Sequence, residues 1–257
     1  MRPTTYILFA FCLLLFGLIR LPFEFELEKD QQSVRLRQTK LDIELREQVG
    51  QLGFLAALSG FRSPLAAILW IEAHNAWENL EWGRMAGLLE TVLTLQPRSL
   101  IYWDMASWQM AWNASIAALN DKSVQSEALR QHYSRNYIVL GRQILERGIK
   151  NNPESALLHE RLGILLRDKL EDYCAAAEAF RKASELPGSL PYVKRFVGYM
   201  LAKCPGRERE AYEWLRKLYD EGSHHHLPTL LVTLRELEQK LEIPHNLHIP
   251  PQPPHDE

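Results

Sequence analysis

The chain has 257 residues, enough for one or two domains, with 46% apolar and 24% charged residues, so it can bury a core and is not globally disordered. Lys and Arg number 30 against 32 Asp and Glu, a net charge of −2, which leaves no electrostatic footprint for nucleic acid. Helix formers dominate and β-branched runs bounded by turns are scarce, so the chain reads as all-α.

Residues 4–19, TTYILFAFCLLLFGLI, are almost purely apolar, with Arg2 before them and Arg20 after. The run is short for a bilayer span, which takes about 17–25 residues. Leu21, Pro22 and Phe23 extend it if Arg20 snorkels. No small-x-small cleavage site comes after it, so 1–23 is predicted to be an uncleaved transmembrane signal anchor, with a cleaved signal peptide as the alternative. Arg20, Lys29, Arg35 and Arg37 outnumber Arg2 and the amino terminus, which favours a cytoplasmic main domain. The very short tail before the apolar run favours export instead. The orientation adopted is the exported one: a single-pass bacterial inner-membrane protein with a periplasmic main domain. Residues 24–50 predict a charged stalk helix. Its narrow apolar stripe, Val34, Leu41, Leu45, Val49 and Leu52, is too short for a clear coiled coil. Residues 52–61, LGFLAALSGF, predict a short helix packing on the helices that begin after Pro64.

The most regular stretch is 156–183, ALLHERLGILLRDKLEDYCAAAEAFRKA. Leu162, Gly163 and Leu166, then Ala176, Phe180 and Ala183, recur at helical spacing in two halves joined by a charged turn. Small Gly163, set opposite Ala176 and Ala183, predicts close approach of the two helices. The stretch resembles one tetratricopeptide repeat, a helix–turn–helix unit of about 34 residues that must stack on copies of itself. Prolines open further copies at Pro64, Pro97, Pro153 and Pro187, at intervals of 33, 56 and 34 residues. Inside the units small residues recur in the pairs Ala73 and His74, Ala106 and Ser107, Leu162 and Gly163, and Val197 and Gly198. The predicted fold is therefore a tetratricopeptide-like α-solenoid over 51–241. Its units are placed at about 64–96, 97–152, 153–186 and 187–222, with a capping helix at 227–241. The long interval makes the second unit extended: a first helix to about Leu119, a polar turn NDKSVQS at 120–126, and a partner helix from Glu127 to Lys150. Residues 242–257 are rich in proline and predict a disordered tail.

Of the three cysteines, Cys12 lies in the apolar run, while Cys174 and Cys204 fall near the turns of adjacent units. Neighbouring repeats are expected to hold such points slightly beyond bridging distance, so the pair reads as two small buried hydrophobes, with a bridge as the alternative. His224, His225 and His226 are adjacent in a predicted loop and cannot easily converge on one ion, so no metal site is expected. No nucleotide-binding, zinc-protease or nucleophile-elbow motif is present, and no cofactor, small-molecule substrate or catalytic residue is predicted. Asn113, Ala114 and Ser115 match a glycosylation triplet but lie inside a predicted helix.

Six tryptophans fall between Trp70 and Trp112. Trp70, Trp77 and Trp103 match repeat landmarks and read as core. Trp108 and Trp112, spaced i,i+4 on a first helix, read as a binding platform. First helices of such arrays line the concave side. The same logic gives a partner-binding row of Asn75, Glu78, Asp104, Trp108, Trp112, Glu160, Arg167, Arg195, Tyr199 and Lys203, acidic and aromatic early, basic late.

From Gly53 on, the chain also resembles a group of bacterial membrane-anchored tetratricopeptide proteins. The likeness rests on Gly60, Phe61 and Arg62 with Ile68, Leu69 and Trp70, and on LQPR at 95–98, MAWNAS at 110–115 and LERGIKNNP at 145–153. That resemblance implies topology and location, not a reaction. The function expected is a non-enzymatic envelope scaffold, membrane-bound through 4–23, that binds a protein partner. The alternatives are an assembly factor for a surface or secretion machine, or an enzyme with a site in the extended second unit.

Overall fold

The computed structural model describes residues 60–250. The predicted anchor and stalk lie outside them. Among the described residues no helix is long and apolar enough to cross a membrane. The described chain is all-α. Its helices are α1 (Arg62–Glu78), α2 (Trp82–Leu95), α3 (Leu100–Trp108), a π turn (Gln109–Ala114) running straight into α4 (Ser115–Asn120), and α5 (Glu127–Asn151). Next come α6 (Ala156–Lys169), α7 (Tyr173–Glu185), α8 (Pro191–Lys203), α9 (Glu208–Glu221) and α10 (Pro228–Lys240).

Local chemistry sets these boundaries. Ser126, Ser155 and Asp172 accept hydrogen bonds from the backbone N–H of Leu129, Leu158 and Ala175, capping α5, α6 and α7. Pro191 and Pro228 occupy first-turn positions of α8 and α10, where the missing N–H is not needed. Short turns make consecutive helices antiparallel. α1 pairs with α2, the α3–α4 rod with α5, α6 with α7 and α8 with α9, and α10 closes the end.

Pair closure depends on small residues at equivalent places. A Cβ on Gly163 would stand 2.9 Å from the Phe180 ring, and one on Gly198 2.3 Å from Leu215. The expected partners of Gly163 were alanines. The structure instead seats fully buried Phe180 there, with Ala176 and Ala183 completing the same core. Trp103 is buried, its indole N–H donating to the Pro97 carbonyl at 3.0 Å, and Trp70 and Trp77 pack half-buried beside it.

Two expectations are overturned. Cys174 and Cys204 form a disulfide, with Cα atoms 5.0 Å apart. Cys174 sits in the first turn of α7, while α8 ends at Lys203 and leaves Cys204 in extended backbone that turns back toward it. The tail is also docked as far as Pro250. Ile249 is buried, and its N–H donates to Glu238 Oε1 at 2.8 Å. Arg216 Nη1 donates to the Leu247 carbonyl at 2.7 Å. Residues 251–257 lie outside the described residues.

Candidate binding face

Ion pairs and aromatic contacts join successive first helices side by side. Arg161 of α6 donates through Nε to both Asp104 oxygens on α3, at 3.0 and 3.1 Å. Its Nη1 reaches the neighbouring Glu160 at 3.4 Å. Tyr192 of α8 donates its hydroxyl to the same Glu160 oxygen. Burial first, and then this bond, push the Tyr192 pKa up to about 12. Beyond Tyr192, α8 carries Phe196 and Tyr199 at i+4 and i+7. Their rings meet edge-on, at 5.6 Å for Tyr192–Phe196 and 5.9 Å for Phe196–Tyr199. The Arg167 guanidinium lies 4.9 Å over Phe196 while paired to Asp168 at 2.5 and 2.9 Å. A single polar and aromatic row thus crosses α3, α6 and α8.

The predicted residues divide on this row. Asp104, Arg167 and Tyr199 belong to it. Glu160 also does, but at 5% exposure it is a buried acceptor and not the solvent-side residue expected, because Tyr192 and Arg161 close over it. Trp108 and Trp112 do not form one platform. Trp108 is 43% exposed, whereas Trp112 is half-buried with Lys169 Nζ 5.4 Å from its ring centroid. The π turn between them is wider than an α turn, so Trp112 is shifted around the rod toward Lys169. Asn75 and Glu78 are exposed and make their side-chain contacts within α1, to Glu72 and His74. Arg195 Nη1 stands 3.5 Å from His225 Nδ1, and Lys203 Nζ 5.0 Å from the Tyr173 ring.

Arg161, Tyr192 and Phe196 were missed. The i, i+4, i+7 aromatic spacing of Tyr192, Phe196 and Tyr199 was the available signal. Arg161 gave none, since its partner lies 57 residues away. The histidines serve the fold: His225 is buried, and His226 stacks on Tyr219 at 4.0 Å. Shallow depressions of about 520 and 320 Å³ lie on α9 and between α2 and α5, away from this row.

No family model and no curated protein matches the chain. Among solved structures it is similar to a thermophilic tetratricopeptide-repeat protein of Thermus thermophilus. Identity is 16% and the TM-score 0.38, covering 77% of this chain and 100% of that one.

Proposed function

We propose that this protein is a membrane-anchored, tetratricopeptide-like scaffold that holds a protein partner along its first-helix face and performs no reaction of its own. The observation that carries this reading is the continuity of the row from Asp104 through Arg161, Glu160, Tyr192 and Phe196 to Tyr199. Side chains fixed by one another lose little entropy on binding, and aromatic and arginine groups supply much interface energy. Trp108 stands exposed on the same face, beyond the row's first member. Residues 4–23 anchor the chain and the repeats face the periplasm. The Cys174–Cys204 bridge supports that side, since disulfides persist in oxidising compartments.

The test is capture from native membranes by the full chain, crosslinked and read by mass spectrometry. Trp108→Ala with Tyr199→Ala is expected to abolish the specific partner. Unchanged capture sinks the reading. Reporter fusions after residue 50 test orientation, and activity of a cytoplasmic reporter alone would overturn export.

A further inference from the structure

Charge is shared unevenly among the first helices. α6 and α8 carry six basic side chains against two acidic ones, in a chain whose net charge is −2. Both acids are already engaged: Glu160 by Arg161 and Tyr192, and Asp168 by Arg167. Two of the bases, Lys169 and Lys203, are the last residues of α6 and α8, and among the described residues neither pairs with a carboxylate. Each instead lies against a ring of another helix. Lys169 Nζ is 5.4 Å from the Trp112 ring centroid, and Lys203 Nζ 5.0 Å from that of Tyr173. Trp112, Lys169, Tyr173 and Lys203 therefore alternate ring and cation along one edge, from the α3–α4 rod across the α6–α7 turn to the end of α8.

The edge is built, not incidental. Cys174 follows Tyr173 and Cys204 follows Lys203, so the disulfide, with its Cα atoms 5.0 Å apart, holds that ring and that ammonium side by side. Burial holds the Lys169 ammonium below its ordinary range, with Asp168 opposing. A half-buried cation with no counter-ion is costly alone and is relieved by an incoming anion. The helix dipole favours a cation at each helix end, but it does not supply an acid to meet either one. Glu171, in the turn between α6 and α7, is exposed and pairs with neither lysine, and Asp172 accepts from the Ala175 N–H at 2.9 Å. Beyond Trp112 the rod runs on for two more turns, where Ile116 and Leu119 are 49% and 43% exposed.

We propose that this edge binds an acidic, extended stretch of a protein partner, with one carboxylate at each lysine and an apolar side chain against Ile116 and Leu119. The proposal rests on the scaffold reading above and names the chemistry of what the scaffold holds. Charge complementarity selects the occupant: two separated ammoniums, each on a ring, call for two separated anions. Neighbouring packed helices lie about 8–10 Å apart. An extended chain advances about 3.3 Å per residue. Acids at every third residue therefore meet both lysines, whereas one phosphate meets only one.

The experiment is fluorescence anisotropy on the full-length protein in detergent. The probe is a labelled twelve-residue peptide with glutamate at every third position and leucine and serine between. It is expected to bind, more weakly as salt is added, and its glutamine counterpart to bind about tenfold or more weaker. Lys169→Gln with Lys203→Gln is expected to lower affinity for the glutamate peptide about tenfold. Lys150→Gln with Lys217→Gln, on second helices, is expected to leave it unchanged. Lys169→Glu with Lys203→Glu is expected to lose the glutamate peptide and gain its lysine counterpart, a reversal that a folding defect cannot produce. No binding, equal binding of the glutamine peptide, equal loss in both glutamine variants, or no reversal overturns the proposal. So does equally tight binding of phosphatidylglycerol vesicles or of a phosphoserine peptide without glutamate. Peptide titration reads this edge alone, and capture from membranes by Trp108→Ala with Tyr199→Ala reads the scaffold, so the two fail separately.

Discussion

The two ends of the array are built from the same helix pairs but finished differently. From α6 onward the surface is tied down. Arg207 pairs with Glu178 at 2.5 Å and Glu210 at 2.6 Å, Arg181 also grips Glu210, and Lys240 reaches Glu208 at 2.8 Å. The two guanidiniums hold the Glu210 carboxyl down to about 2. A disulfide and a folded-back tail complete this half. From α1 to α5 the cross-unit ties are fewer, with Arg147 and Glu90 at 2.5 Å the main one, and the first helices expose isoleucine and tryptophan. The two larger core clusters meet within α6, where Leu158 and Leu165 join the amino-terminal one, Leu166 the carboxyl-terminal one, and Leu162 and Leu170 pack on both. The carboxyl-terminal half is thus sealed by ion pairs and a bridge, whereas the amino-terminal half leaves more apolar surface open.

Substitutions can break this division. Phe180 is fully buried, between Gly163 and a stacked Phe196 at 5.4 Å, so Phe180→Ala is expected to cost about 3–5 kcal/mol. In a quasi-one-dimensional array the loss should fall on α6–α10. Hydrogen exchange checks this, and an equal loss of protection in α1 and α2 would show a single cooperative block. Removing the bridge, by Cys174→Ser with Cys204→Ser, frees a loop of 30-residue separation. The chain-entropy argument gives about 3–4 kcal/mol, read as a lowered urea midpoint that reductant no longer shifts. Gly198→Ala places a methyl group against fully buried Leu215 and should cost about 1–3 kcal/mol through overpacking.

The smallest effect expected is that of pH. Burial first, then the charges of His224, Arg195 and Lys194, hold the His225 ring below its ordinary range, with Glu221 opposing. His159 is lowered too, again mainly by burial. A lowered histidine favours the folded state fully above its unfolded value of about 6.5. That contribution is lost as pH falls through the lower folded value. Urea midpoints at pH 7 and pH 5 should therefore differ, and His225→Gln should narrow the gap.

Much of the fold was legible because it is local. Pro97, Pro153 and Pro187 ahead of α3, α6 and α8, Pro64 in the first turn of α1, small residues at Gly163 and Gly198, and the polar run at 120–126 are signals of one residue type at one place. What escaped depends on pairs distant in sequence. Glu160 looks solvent-facing by helical phase, and only Tyr192, 32 residues on, buries it. Ile249 looks like part of a free tail until Glu238 is seen buried with an oxygen aimed at its amide. Trp112 was misplaced by a π turn that no spacing announces. Cys204 came within bridging distance because α8 stops one residue before it.

The bridge has a mechanical meaning for a chain under tension. Tension between the amino and carboxyl ends would peel α1 to α5 in sequence and pass around residues 175–203, since the covalent shortcut from Cys174 to Cys204 bears the load. About 100 Å of contour length stays out of reach of the pulling force. α8 and most of α7 would then stay unextended while the amino-terminal units are drawn out.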